Sequence, residues 1–72
     1  MRLDKWLWAA RCFKTRGLAA EAADRERVRV NDLPAKPAKE LRVGDRLYCM
    51  ACMTRLVVVA GDGGRLEAQV VY

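Results

Sequence analysis

The sequence has 72 residues, of which 53% are hydrophobic, and a formal net charge of +5 at pH 7. This length allows one small domain, and the apolar content argues against a chain that is disordered throughout. Residues 1–42 hold eleven basic and six acidic side chains, whereas residues 43–72 hold three of each. A basic half of this kind indicates a polyanionic partner, and a solvated surface that only aids solubility is the alternative.

Cysteine usage and hydropathy indicate the cellular compartment. Three cysteines are an odd number and define no disulfide framework. Asp4, Lys5 and Arg11 interrupt the first apolar residues, so no signal-peptide core is expected, and no apolar run reaches the length of a membrane span. We therefore expect a cytoplasmic protein with reduced cysteines and no membrane partner.

Residues 2–13 are predicted to form the first helix. Its apolar stripe recurs at three- and four-residue spacing and consists of Leu3, Trp6, Leu7, Ala10 and Phe13. The opposite side carries Asp4, Lys5, Trp8, Arg11 and Cys12. Trp8 therefore projects among charged residues, where it is either a platform for stacking an RNA base or is covered by the later strands. Asp4 is interpreted as structural, because a carboxylate in the first turn complements the helix dipole and can hold a nearby arginine.

A second helix is predicted over Arg16–Asp24, after a turn at residues 12–14. Thr15 is the expected N-cap, because its hydroxyl can accept hydrogen bonds from the free amides of the first turn. The apolar stripe of this helix consists of Leu18, Ala19, Ala22 and Ala23. Lys14 and Arg16 lie at the helix N-terminus, which suits a phosphate; ordinary solvated cations are the alternative.

Short strands follow the helices. Val28–Val30 alternates with its valines inward, Asn31-Asp32 is a hairpin turn, and two prolines keep residues 33–39 off a central sheet position. Val43-Gly44-Asp45 is a turn, and further strands are predicted over Leu47–Cys49, Leu56–Ala60 and Leu66–Tyr72, with a turn at residues 61–64. The apolar run Leu56–Ala60 is expected to be buried on both faces. The predicted fold is α+β, with two packed N-terminal helices on a small, mostly antiparallel sheet of about four to five short strands.

The chain offers no catalytic constellation. It has neither histidine nor serine, its glycines lack phosphate-loop spacing, and its carboxylates are scattered. Cys49 and Cys52 form a CxxC motif, which we interpret as incidental core or turn cysteines; a redox pair, or half of a zinc site shared between chains, is the alternative. We expect no enzymatic activity, no cofactor and no metal.

An ordered set of residues resembles the S-four domain, the RNA-binding module named after small-subunit ribosomal protein four. The set consists of Arg2-Leu3-Asp4, Leu7, Lys14-Thr15-Arg16, Ala20, Val28–Asn31, Lys36–Lys39 and Gly44-Asp45. Residues 2–16, with their tryptophan pair, are similar to the bacterial ribosome-associated heat-shock proteins of the fifteen-kilodalton class. The resemblance covers about residues 2–48 and implies one domain over residues 1–72, with a helix-pair RNA-binding unit at 1–48 and supporting strands at 46–72.

The resemblance implies binding to structured ribosomal RNA and association with the large ribosomal subunit when it carries a stalled nascent chain. A monomer is expected. With Trp8 added as the stacking candidate, the expected RNA-binding residues are Arg2, Lys5, Trp8, Arg11, Lys14, Arg16, Arg27, Lys36 and Lys39. Asp4, Asn31, Gly44 and Asp45 correspond to structural positions of the family.

The chain departs from the family pattern in three places. Arg25-Glu26 replaces a usual glycine before the first strand, and Asn31-Asp32 replaces a usual Asn-Gly, so wider or strained turns are expected there. The heat-shock relatives continue into a basic helical extension that this sequence does not include, so the RNA-binding expectation depends on the domain itself. Two other roles stay open: an RNA-delivery accessory to an RNA-modifying enzyme, and a protein-interaction module that uses the apolar C-terminal strands.

Overall fold

The computed structural model describes residues 1–51 and 53–71 and has two helices packed on one five-stranded sheet. The helices are α1 (Leu3–Ala9) and α2 (Arg16–Asp24). The strands are β1 (Val28–Val30), β2 (Leu33–Pro34), β3 (Arg46–Cys49), β4 (Thr54–Ala60) and β5 (Leu66–Val70). The sheet order is β2-β1-β3-β4-β5, and every neighbouring pair is antiparallel. The predicted α+β fold is confirmed, with β2 and its proline at a sheet edge.

The hydrophobic core lies between the helix pair and one face of the sheet. The helices contribute Leu3, Trp6, Leu7, Ala19, Ala22 and Ala23, and the sheet contributes Val28, Val30, Leu47, Leu56 and Val58. The three buried alanines of α2 bring no bulk to the contact with α1, so the two helices can approach closely. We therefore expect substitutions that enlarge these alanines to push the helices apart.

The first helix is shorter than the predicted 2–13, because it ends in a Schellman motif. Arg11 adopts φ 63°, the Cys12 amide donates to the Leu7 carbonyl at 3.1 Å, and the Arg11 amide donates to the Trp8 carbonyl at 3.0 Å. This pattern closes a helix at a residue in the left-handed region, a position that usually holds glycine. Since the sequence has arginine there, nothing in the composition marks the stop. Ala10 and Phe13 still pack against the core, from the turn.

The second helix has the predicted bounds and the predicted cap. The Thr15 Oγ1 accepts a hydrogen bond from the Leu18 amide at 3.1 Å. Leu18 itself is 46% exposed, so its predicted place in the apolar stripe is wrong. The helix ends in a second Schellman motif, with Glu26 at φ 60°. This is one of the two places where the sequence analysis expected a wider or strained turn.

The hairpin between β1 and β2 is tied to the turn before β3. Asn31 and Asp32 adopt φ 52° and 68°, as a two-residue hairpin turn requires. The Asn31 amide nitrogen Nδ2 donates to Asp45 Oδ1 at 3.2 Å, and the Arg46 backbone amide donates to Asn31 Oδ1 at 3.0 Å. The Arg42 backbone amide donates to Asp45 Oδ2 at 2.9 Å, and this bond is the main reason that the pKa of Asp45 is lowered. The predicted structural roles of Asn31 and Asp45 are thus confirmed.

The C-terminal strands differ from the prediction in their burial. In β4, Leu56 and Val58 are buried while Val57 and Val59 are half-buried, so burial on both faces is wrong. The reason is that both helices cover the same face of the sheet. The last predicted strand is observed as β5, and Tyr72 lies outside the described residues, as does Cys52 of the CxxC motif. Cys49 is buried at the end of β3.

Two absences hold for residues 1–51 and 53–71. No helix there is long and apolar enough to cross a membrane. No group of three or more cysteine, aspartate or glutamate side chains is placed to hold a metal ion.

Candidate nucleic-acid interface

A buried carboxylate organises the basic end of the helix pair. The Asp4 side chain is 6% exposed, and its Oδ2 lies 3.3 Å from an Arg2 guanidinium nitrogen and 3.6 Å from Nε of Arg16. Its Oδ1 accepts a hydrogen bond from the Lys5 amide at 2.8 Å. One aspartate therefore holds an arginine from the start of each helix, as the structural interpretation of Asp4 predicted.

The two arginines remain available to an anion. Their side chains are 48% and 47% exposed, and a guanidinium has five N–H donors in a planar fork. Asp4 occupies only part of that fork, so the remaining donors of Arg2 and Arg16 can bind phosphate oxygens. Because the carboxylate restrains both side chains in advance, less rotamer freedom is lost when the anion binds.

The N-terminus of α1 is closed by the loop that carries the two predicted lysines. The Leu3 amide donates to the Lys39 carbonyl at 2.8 Å, and the Asp4 amide donates to the Pro37 carbonyl at 3.2 Å. These bonds satisfy helix amides that have no partner within α1. The backbone of residues 36–39 is thereby attached beside the Asp4 cluster, with Lys36 and Lys39 exposed.

A second group of predicted residues lies where α1 passes into α2. A depression there is lined by Trp8, Ala9, Arg11, Cys12, Phe13 and Lys14. Trp8 is 47% exposed, so the alternative in which later strands cover it is wrong. The left-handed conformation of Arg11 turns the chain immediately after Trp8 and places Arg11 and Lys14 around the same depression. An aromatic ring between two cations is suited to stacking an unpaired base.

The predicted residues do not all converge. Lys5 is exposed on α1 between the two groups. Lys36 directs its Nζ to the Asp24 carbonyl at 3.5 Å, and the Arg27 amide donates to the Ala22 carbonyl, so both lie at the C-terminal end of α2. We use "helix-pair surface" for the residues along α1 and the start of α2, namely Arg2, Lys5, Trp8, Arg11, Lys14 and Arg16.

Other cations lie on the sheet and were not among the predicted residues. Arg29, Arg46 and Arg55 are exposed on the face opposite the helices. The alternation Val28-Arg29-Val30 signals that Arg29 points away from the core. Its neighbours across the sheet depend on strand register, which no local pattern specifies.

With this geometry established, comparison with known proteins decides the family. The model of the S4 domain matches residues 1–47. The chain belongs to the S4 domain family. The match covers both helices and ends within β3, so it includes the Asp4 cluster and the depression at Trp8.

Several relatives of this S4 domain are known. Heat shock protein 15 of Escherichia coli K12 is 54% identical over 39 residues, which are 54% of this chain and 29% of that protein. An RQC P-site tRNA stabilizing factor of Streptococcus pneumoniae is 45% identical over 47 residues, which are 65% of this chain and 53% of that protein. The chain thus matches between about a third and a half of the curated relatives.

A solved structure extends the likeness through the sheet. Heat shock protein 15 of Vibrio cholerae, described as trimeric, superposes with a TM-score of 0.82 at 31% identity. The superposition covers 99% of this chain and 81% of that one. The chain therefore resembles the fifteen-kilodalton heat-shock class over its whole fold, as the tryptophan pair predicted.

Proposed function

We propose that this S4 domain binds structured ribosomal RNA through the helix-pair surface and catalyses no reaction. The observation that carries this proposal is the buried Asp4, which holds Arg2 and Arg16 half-exposed at the start of the two helices. A buried carboxylate that restrains two arginines in advance lowers the entropy cost when those arginines bind phosphates. Recognition is of backbone and shape, with Trp8 as the one group on this surface suited to a base.

The names of the relatives support a ribosomal setting. One class of relative is named for stabilising transfer RNA in the P site, and another as heat shock protein 15. We propose that this chain associates with the large ribosomal subunit when it carries transfer RNA, in the cytoplasm. Sedimentation with purified large subunits, with and without bound peptidyl-tRNA, tests this; protein that stays in the supernatant under both conditions contradicts it.

The two tryptophans allow a direct binding assay. Trp6 is buried, and its indole nitrogen has no hydrogen-bond partner in the described structure, so Trp6→Phe removes its emission without breaking such a bond. In that background the fluorescence reports Trp8, which is expected to be quenched by large-subunit ribosomal RNA. If about six phosphates are contacted, log K falls against log salt with a slope of about −4 to −5.

A paired set of variants tests the assigned surface. Arg11→Gln with Arg16→Gln removes two predicted phosphate contacts, so we expect at least tenfold weaker binding and a salt slope smaller by about 1.5–2. The control is Arg42→Gln with Arg65→Gln, which changes the net charge equally at exposed residues that are not part of the helix-pair surface. Equal loss in both double variants, with both folded by circular dichroism, would mean that only net charge matters.

A second candidate function is protein interaction through the C-terminal strands. β5 is a sheet edge, and Val70 and Val71 are 46% and 45% exposed. An exposed edge with apolar side chains is a surface on which another chain can pair. Light scattering across a concentration series tests whether these strands form an interface. We expect the mass of a monomer. A mass of two or more chains that returns to the monomer mass in Val70→Lys would favour the strand interface.

A further inference from the structure

The outer face of the sheet carries a row of alternating charge and aromatic ring. Arg29 of β1 pairs with Tyr48 of β3, and Tyr48 pairs with Arg55 of β4. Directly opposed residues in antiparallel strands share a face, so the three side chains lie side by side across three strands. The neighbouring inward residues, such as Val28, Leu47 and Leu56, are buried against the helices. The row therefore faces away from the core and from the helix-pair surface.

The ring of Tyr48 is already arranged with a cation. The guanidinium carbon of Arg55 lies 5.5 Å from the centroid of the Tyr48 ring, which is a cation–π contact. Arg29 flanks the tyrosine from the other side, and Arg46 lies two residues before it on the same strand and the same face. A shallow depression of about 410 Å³ opens here, and its lining includes all four of these residues.

Positive charge is in excess in the described lining of this depression, with three arginines and one aspartate. Among the described residues, Asp32 is the one acid that lines it, and no carboxylate forms an ion pair with Arg29, Arg46 or Arg55. Arg46 lies diagonally across from both Arg29 and Arg55, so three cations that repel one another are gathered on neighbouring strands. An anion bound between them offsets the repulsion.

The combination of groups selects the kind of anion. Neighbouring strands are about 4.8 Å apart, so the backbones of β1 and β4 are separated by about 10 Å with the tyrosine midway. A flat aromatic ring between two arginines offers one base a stacking surface and offers its flanking phosphates a cation on each side. A base can reach such a ring only when it is unpaired. We propose that the outer sheet face around Tyr48 binds unpaired RNA, with a base stacked on Tyr48 and phosphates on Arg29 and Arg55.

This site is separate from the helix-pair surface, so the chain would hold two RNA segments on opposite sides of its core. The probe for the sheet is a fluorescein-labelled oligouridylate of ten nucleotides, which has no base pairing. In ¹H–¹⁵N spectra of the full chain we expect the decamer to shift amide signals of β1, β3 and β4. Shifts confined to α1 and α2 would overturn the proposal.

Variants test the cations. Arg29→Gln with Arg55→Gln is expected to weaken decamer binding at least tenfold and to reduce the salt slope by about 1.4, which is 0.7 for each lost contact to a single strand. The matched control is again Arg42→Gln with Arg65→Gln. Equal weakening in both double variants would overturn the site.

Two substitutions at Tyr48 test whether its aromatic ring stacks on a base. Tyr48→Phe keeps the ring and is expected to keep the affinity, whereas Tyr48→Leu keeps apolar bulk without a stacking face and is expected to lose about fivefold or more. Equal binding by these two variants would overturn the stacking role. A decaglutamate peptide that binds as tightly as the decamer would show a surface for acidic proteins instead. Hairpin RNA with Arg11→Gln and Arg16→Gln tests the helix pair independently, so the two proposals can fail separately.

Discussion

Replacing Asp4 by asparagine separates the positioning of the arginines from their charge. The substitution keeps the size of the side chain and an oxygen that can accept from the Lys5 amide. It removes the charged partner of Arg2 and Arg16 from a site that is only 6% exposed. The arginines are about half exposed, so water can solvate them when the carboxylate is gone.

The loss of stability can be estimated from those contacts. A charge-assisted hydrogen bond contributes about 1.5–3 kcal/mol when buried, and an exposed ion pair about 0.2–1 kcal/mol. Because both arginines are half exposed, we take a total of about 2 kcal/mol, near the low end of their sum. For a domain of this size that lowers the melting temperature by about 8–16 °C, measured by circular dichroism.

RNA binding gives the sharper test, because two effects have opposite signs. Asp4→Asn makes the chain one unit more positive, which by itself strengthens binding to a polyanion. Ordering a released arginine, however, costs up to about 2 kcal/mol of side-chain entropy. If half of this entropy cost is added for each of the two arginines, the binding free energy weakens by about 2 kcal/mol. The added positive charge offsets part of this loss, and a net loss of about 1.4 kcal/mol corresponds to roughly tenfold weaker binding.

The control is Asp62→Asn, which makes the same charge change at an exposed residue of the turn before β5. We expect this variant to bind large-subunit ribosomal RNA as tightly as the unmodified chain, or slightly more tightly. Binding by folded Asp4→Asn that equals or exceeds the control would refute the positioning role, whatever the loss of stability.

Three further substitutions test the local structure. Glu26→Gly removes a side chain from a left-handed position, whose cost of about 1–2 kcal/mol exceeds the entropy cost of glycine; we expect a gain of about 0.5–1 kcal/mol in urea unfolding, and a loss would refute the strain. Thr15→Ala removes the acceptor for the Leu18 amide and should cost about 1 kcal/mol, whereas Thr15→Ser should cost little. Asp45 has a lowered pKa, chiefly through the Arg42 amide, so its contribution to stability is present above the unfolded pKa of about 3.9 and is lost as pH falls through the folded value. Asp45→Asn should therefore flatten the dependence of the urea midpoint on pH below 5, and an unchanged dependence would contradict this role.

Helix ends show where sequence reasoning succeeds and where it stops. The start of α2 was predictable because the Thr15 hydroxyl caps a nearby amide, which is a local interaction. The end of α1 was not, because Arg11 adopts a conformation that glycine usually supplies. The departure from glycine at residues 25–26 was visible in the sequence, and the structure has Glu26 in the left-handed region there.

The candidate interface divides in the same way. The sequence alone determined the fold class, the basic half and the two helices with their alanine contact, since each depends on composition or short-range spacing. It also indicated the family, through the resemblance of an ordered set of residues to the S4 domain. Tertiary structure alone decided that Trp8 is exposed, that Asp4 joins two arginines fourteen residues apart in sequence, and that β4 is covered on one face. It also decided the row of Arg29, Tyr48 and Arg55, because strand register is set by the packing of the opposite face against the helices. Contacts between distant segments exist only once the core has formed, so no local pattern could specify them.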